Sequence, residues 1–585
     1  MSDFIFTSKK DTKNNLVNSI EKYCLNKRDE VFFFNGVWGS LLLTKGWYYG
    51  YDPIETEQYI CAVIGGPVLT GKNNNFENAN SGSELVLGMW LQGVYKWDEV
   101  LSGPFIVIIV NKKSNQMYCI TDLMMFLPVY SNKVNGDLAL ASHVDLIADY
   151  CNEIGNIDEV SSLDFIIHGC VTYPYTIYRN IKQLNPASVH AYPCPNSCLE
   201  KCSKICEDIS VYWEPSENNI FPNIIDAAQY LREGIESYIR NIIKDNSNIA
   251  QFISAGEDSR ALAGILPISH KRDAFIFLDK MNREGKIANK VANVFGLNFI
   301  YSYRSSTHYL DIISEASKLV GTGHQYTHAH SLRFDKINNL NSYDAVFGGL
   351  GSDTLLKLHF ANKDKKRTKF PFLPQKLVSH EKCDYKNYEA YFSLEIIDLV
   401  KNRRDKHFHK LMRLRPNSAA EWMCIWPATM YIDIPNLYCN RRLFPSYEVF
   451  MCNASVKVAS AAPTNWKINR QLFLRAFKPS LKTTKFMLHA DGRLPYYSWK
   501  LNLPIHSSIW LYRKVKKKIT NSNNNEGPWG EWNNVVKTSE WENNIYKVES
   551  NQFAFEIDNA VRQNILLDEK IPIISKVNLM QLYVK

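Results

Sequence analysis

The stretch "QFISAGEDSRALAG", residues 251–264, decides the fold. It reads as an apolar strand, a turn of small residues carrying two carboxylates, and the start of a helix. Small residues let backbone N–H groups approach a ligand closely, and a helix N-terminus at that point favours an anion. Just upstream, "IIDAAQYLREGIESYIRNIIK" (224–244) has the spacing of an amphipathic helix. Downstream come the strand "AFIFLD" (274–279) and the helix "GKIANKVANVFGL" (285–297), with Gly296 near its end. "DAVFGGLGSD" (344–353) is again a strand running into a glycine turn. Strands alternating with helices predict an α/β fold around a parallel sheet, with ligands beyond the carboxyl ends of the strands.

The region before residue 150 has a different texture. "VFFFNGVWGSLLLT", "YICAVIGG", "FIVIIVN" and "QMYCITD" are short apolar runs broken by Gly, Asn and Ser, which predict β-structure from residue 31 onward. "SELVLGMWLQGVYKWDEVL" (83–101) has helical spacing between two of them.

The totals exclude several classes. A chain of 585 residues with 45% hydrophobic content has ample core for several domains. A net charge of +9 over that length is a mild bias, which argues against nucleic acid as a partner. The runs "RKVKKK" (513–518) and "NKDKKRTK" (362–369) read as solvated faces or loops. The opening residues lack the layout of a secretory leader, and "GPFIVIIV" (103–110) is too short to span a bilayer. The expectation is a cytoplasmic protein with no membrane insertion, with oligomerisation left open. Cys194, Cys198, Cys202 and Cys206 recur every fourth residue. They read as free or buried thiols of a linker or hairpin, with a metal or redox role as the alternative.

The chemistry lies in the two turns. Ser254, Gly256 and Ser259 suit a pyrophosphate group. Asp258 beside phosphate needs a cation, and Mg²⁺ shared with Asp353 supplies one. Neither turn is a P-loop, because no Gly-Lys-Ser/Thr follows. "ISAGEDS" (253–259) resembles the Ser-Gly-Gly-x-Asp-Ser loop of the asparagine synthetase family. "VFGGLGSDTLL" (346–356) resembles that family's Ser-Gly-x-Gly-Ser-Asp-Glu-Leu-Phe segment. The likeness continues collinearly over about residues 31 to 500 through "LSGPFIVIIVNKKSNQMYCITDLMMFLPVYSN", "LALASHVDLI", "TIYRNIKQLNPASVHAY", "VYWEP", "RRLFPSYEV" and "NRQLFLRAF".

The resemblance implies a glutaminase-like αββα sandwich over residues 1–207. It further implies a parallel-sheet adenine nucleotide α-hydrolase-like (PP-loop) synthetase domain over 208–585, with an extension at 529–585. It implies ATP and Mg²⁺: Ser254, Gly256, Asp258 and Ser259 on pyrophosphate, Asp258 and Asp353 on the metal, and Ile253, Phe277, Gly348 and Gly349 around adenosine. Arg260 would meet phosphate or a substrate carboxylate, or pair with Glu257. The reaction would be AMP-forming carbon–nitrogen ligation through an acyl-adenylate, on a small-molecule, sugar or peptide carboxylate.

The departures from the family are as informative. Its nucleophile is an N-terminal cysteine, where this chain has Ser2, and about 30 residues precede the first matching strand. Gly65 and Gly66 stand where the family has its oxyanion Asn-Gly, and Gly82 replaces its substrate-holding Asp. The expectation is no glutaminase activity, with ammonia or a substrate amine as nitrogen donor. Leu350 and Thr354 replace polar residues of the second turn, and the family's late lysine has no clear equivalent. Arg493 and Lys485 are the candidate cations. His324, His328 and His330 are the candidate bases. The alternative expectation is a degenerate, non-catalytic binding or scaffold protein.

Overall fold

The computed structural model describes residues 2–23, 30–48, 51–70, 82–134, 136–193, 207–244, 248–267, 272–364, 369–378, 383–520, 527, 530, 532–543 and 559–583. The Cys194–Cys206 cluster lies outside the described residues, except that residue 207 following it is described.

Two six-stranded antiparallel sheets build the first third of the chain. One runs Ile181–Gln183, Tyr130–Val134, Asp137–Ala141, Asp3–Thr7, Gly39–Thr44, Val31–Gly36 in spatial order. The other runs Asp208–Val211, Ser188–Pro193, Gln116–Thr121, Phe105–Asn111, Tyr59–Gly65, Ile54–Glu55. Alternation along each strand divides the side chains between two faces. Phe4, Phe6, Leu41 and Leu43 meet Ile60, Ile64, Ile106 and Ile108 in one core between the sheets. The opposite faces bury Ile5 and Leu42 against Leu16, Ile20 and Ile147 on one side. On the other side Val63 and Val107 pack on Val86, Leu87 and Trp97 of the helical segments Gly82–Leu91 and Trp97–Val100. The result is helix, sheet, sheet, helix.

Two local readings change. Residues before 31 were expected to precede the β-structure, yet Asp3–Thr7 is an inner strand, paired on both sides and buried throughout. Five residues between the chain start and a Lys-rich stretch are too few for periodicity to reveal. Asp208–Val211 also extends the second sheet past the boundary expected at 207.

The second part holds a five-stranded, all-parallel sheet. We label its strands in chain order β1 (Ile249–Phe252), β2 (Arg272–Leu278), β3 (Asn298–Tyr303), β4 (Ala345–Gly348) and β5 (Ser446–Glu448). The spatial order is β3-β2-β1-β4-β5. The chain winds outward in one direction to β3, then crosses back to the other side of β1. The crevice between β1 and β4 is therefore the topological switch point. Both glycine turns leave from those two strands.

The parts are clasped together. Asp3, fully buried, accepts from Arg441 Nη2 at 2.8 Å and from Arg442 Nη2 at 2.7 Å, both on the helix Pro435–Leu443. Burial opposes the charge of Asp3, but the two guanidinium groups hold its carboxyl well below the usual range. The C-terminal helix Ile573–Tyr583 packs across the seam. Its Gln581 donates to the carbonyl of His324 at 2.6 Å, and Gln325 donates to Asn578 at 2.9 Å. No described helix is long and apolar enough to cross a membrane.

Candidate functional site

β1 leads into Ile253 and Ser254, and the helix Glu257–Ile265 starts three residues after Ser254. Gly256 is its N-cap, and no side chain caps it. The N–H groups of the first turn thus remain available to an anion. The hydroxyls of Ser254 and Ser259 lie 3.0 Å apart, and Ser254 Oγ accepts from Gly256 N at 3.0 Å. Ala255 N donates to Glu284 at 2.7 Å, which fixes the turn from below.

β4 delivers Gly348 and Gly349 into the second turn. A Cβ on Gly349 would stand 3.6 Å from the Cβ of Asp258, so the two turns touch. Asp258 Oδ1 accepts from Ser352 Oγ at 2.7 Å and from the ammonium of Lys357. Asp353 accepts from the same ammonium at 2.8 Å. Lys357 is buried, reaches Glu257 at 3.3 Å, and lies 4.4 Å over the ring of Phe473. One cation therefore joins carboxylates from both strand ends. Burial works against its charge, yet Asp258, Asp353 and Glu257 hold Lys357 above the usual lysine range. Burial pushes Asp258 up to about 6 against the pull of Lys357. Asp353, more exposed, is drawn below its ordinary value, chiefly by Lys357.

Glu257 anchors a second layer. It is buried, ion-paired with Arg470, and 3.4 Å from Arg493, which also meets Asp491 at 3.3 Å. Burial disfavours its charge, but Arg470, Arg493 and Lys357 keep its carboxyl well below the usual range. Carboxylates and cations alternate through the cluster, with a guanidinium pair beside the turn.

The other expected residues are placed differently. Arg260 is fully buried under the turn and donates to the carbonyls of Ala255, Met487 and Leu488 at 2.9, 2.8 and 2.7 Å. Its hydrogen bonds go to backbone, neither to Glu257 nor toward the open side of the turn. Ile253 packs in an apolar cluster with Ala263 and Ile276. Phe277 stacks on Phe334 with centroids 4.3 Å apart. Lys485 lies over the ring of Phe486, its ammonium 4.8 Å from the centroid. The three histidines are engaged by neighbouring side chains, His324 by one from the first part. His324 bonds Tyr130 at 2.9 Å, His328 meets Asp433 at 3.2 Å, and His330 bonds Tyr309 at 2.9 Å. Burial lowers all three, His324 to about 3. The segment reads as a polar loop in sequence because its neighbours in space come from residues 130, 433 and 581.

Sequence reasoning missed Lys357, Arg470, Ser352 and Glu448. Lys357 carries one available signal, its spacing of four from Asp353, which puts both on one helical face. Glu448 at the end of β5 is 4% exposed, and its Oε2 accepts from Leu350 N at 2.8 Å. Burial raises it to about 7. A Cβ on Gly348 would fall 2.2 Å from that oxygen, so the glycine is what admits the carboxylate.

In the first part, the ring of Tyr48 covers Gly66, and a Cβ there would fall 2.4 Å from it. Tyr51 covers Gly82 in the same way, with 1.7 Å to its ring. Ser2 is buried, its N–H donates to Thr44 O at 2.8 Å, and its hydroxyl has no partner among the described residues.

Residues 68–198 match the model of a glutamine amidotransferase domain. That domain type supports amide or nitrogen-transfer chemistry and an enzyme. No curated protein matches the chain. Among solved structures, the allosteric regulatory enzyme of purine biosynthesis is 8% identical, covering 51% of this chain and 80% of its own, at TM-score 0.24. Glutamine phosphoribosylpyrophosphate amidotransferase from B. subtilis, complexed with ADP and GMP, is 7% identical, covering 53% and 92%, also at 0.24. A likeness that loose in shape carries nothing further.

Proposed function

We propose that the chain is an ATP- and Mg²⁺-dependent amide-forming ligase of the asparagine synthetase type. It activates a carboxylate as an acyl-adenylate, releases AMP and pyrophosphate, and uses ammonia or a substrate amine in place of glutamine. The observation that carries this reading is the meeting of Asp258 and Asp353 on one cation at the switch point of a parallel sheet. The donor set fits magnesium: hard carboxylate oxygens from two elements, with further positions left for phosphate oxygens and water. When bound, the ion would neutralise charge between the phosphates. Ser254, Ser259 and the uncapped N–H groups of the helix at Glu257 would bind phosphate oxygens. Arg493, fixed by Glu257 and Asp491, would face the charge that develops as pyrophosphate leaves. Arg260 would act from beneath, holding the turn in shape.

The tyrosine rings over Gly66 and Gly82 support the absence of glutamine hydrolysis, since they fill the space beside the positions that the resemblance assigns to that chemistry. A non-catalytic binding protein is the second reading, favoured by Leu350 in the second turn and by Phe334 stacked on Phe277. Pyrophosphate exchange decides between them. With ATP, Mg²⁺ and a panel of amino-acid, uronate and peptide carboxylates, the ligase gives exchange that Asp258→Ala and Asp353→Ala each abolish. A response to ATP in melting temperature, without exchange on any carboxylate, favours the binding protein.

A further inference from the structure

We infer that Lys357 is a resident counter-ion that reserves the Asp258–Asp353 pair, so that a divalent cation enters only together with a polyphosphate. The inference rests on the nucleotide reading above but concerns this chain's own residues. Three carboxylates face Lys357: Glu257 at 3.3 Å, Asp353 at 2.8 Å, and Asp258 in a closer bond. The ring of Phe473 lies 4.4 Å from the ammonium, and its face also favours a cation. Glu257 is already served by Arg470 and Arg493, so it keeps partners without Lys357. Asp258 and Asp353 are different. Asp258 has only the Ser352 hydroxyl besides Lys357, and Asp353 has no other ion pair among the described residues. Lys357 is the cation in direct contact with both, while Arg493 acts on them only at longer range.

A bare divalent ion at that point would have to evict or crowd a cation with which it cannot coexist at contact distance. A polyphosphate changes the balance, because its oxygens offer Lys357 an alternative partner within reach of the same turn and supply ligands that two aspartates alone lack. The lysine then passes from the carboxylates to the phosphates as the metal takes its place. An arginine or a neutral residue would not do this: the first is bulky and planar, the second leaves two acids repelling each other.

The experiment uses Mn²⁺ as the probe, with its free-ion paramagnetic resonance signal as the readout, on the full chain at neutral pH. Because ATP by itself chelates Mn²⁺, each ATP sample is read against a protein-free Mn²⁺–ATP reference: wild type is expected to leave the Mn²⁺ signal unchanged without ATP and, with ATP, to lower it beyond that reference. Lys357→Met is expected to bind Mn²⁺ without nucleotide, about tenfold or more tightly than wild type. Asp353→Asn in the Lys357→Met background is expected to abolish that binding. Tight binding of Mn²⁺ by wild type without ATP overturns the inference, and this measurement needs no variant to fold. So does a folded Lys357→Met that binds no Mn²⁺. If Lys357→Met binds Mn²⁺ while wild type ignores ATP with Mn²⁺, the counter-ion role stands and the nucleotide reading falls. If wild type takes Mn²⁺ with ATP and Lys357→Met behaves identically, the nucleotide reading stands and this inference falls.

Discussion

Replacing Glu448 with glutamine should make the protein more stable, and only above a definite pH. Glu448 is 4% exposed and, among the described residues, has one hydrogen-bond donor, Leu350 N at 2.8 Å. Burial moves its carboxyl from 4.5 to about 7. A folded value above the unfolded one means that ionisation favours the unfolded chain. Stability from this group is therefore complete below about pH 4.5 and is lost as pH rises through 7. The difference amounts to about 3 kcal/mol at most once the group is fully ionised. Glutamine keeps an acceptor for Leu350 N and never ionises. The Glu448→Gln variant should match wild type within about 0.5 kcal/mol at about pH 5 and exceed it by about 2–3 kcal/mol at about pH 8.5. In thermal unfolding that is a rise of several degrees in the alkaline scan and none in the acid one. Other titrating groups are common to both proteins and cancel in the difference. An equal effect at both pH values, or a loss of stability at high pH, refutes the reasoning, because Glu448 would then be stabilised as an anion.

Asp3→Asn should cost about 3–5 kcal/mol, since it leaves two buried guanidinium groups facing a neutral amide. Because Asp3 sits below its ordinary value, its contribution is present at neutral pH and fades on acidification. Wild type should therefore lose more melting temperature between neutral and about pH 3 than the variant does. Ser2→Ala removes a buried hydroxyl that has no partner among the described residues, so stability should stay within about 1 kcal/mol and any pyrophosphate exchange should be unchanged; a large loss would give Ser2 a function. Arg260→Met should destabilise by about 2–4 kcal/mol in thermal unfolding, because three carbonyls lose their donor. An unchanged melting temperature would detach Arg260 from the turn.

Much of this architecture was legible where it is written locally. The parallel sheet announced itself because each strand, turn and helix of 249–297 follows the last within a few residues. The two aspartates were legible because each sits one turn beyond a strand in a run of small residues. What could not be read is whatever depends on distant segments. Arg470 reaches Glu257 across 213 positions, and Glu448 reaches Leu350 across 98. No spacing rule operates over such separations. The histidines near 324–330 misled for the same reason in reverse: a segment rich in Gly, Thr and His looks solvated until partners arrive from three other places. Asp3–Thr7 went unseen because a strand of five residues carries too little pattern to stand out.

The clasp at Asp3 has a consequence for how the chain is made. Its counter-charges lie 438 positions further along. At about 5–20 residues per second, a ribosome needs roughly 20–90 seconds to produce them. Throughout that interval the strand Asp3–Thr7 exists without Arg441 and Arg442, and a bare carboxylate has no reason to leave water. The first sheet can thus close fully only when most of the chain has emerged, so synthesis itself postpones the final locking of its earliest segment.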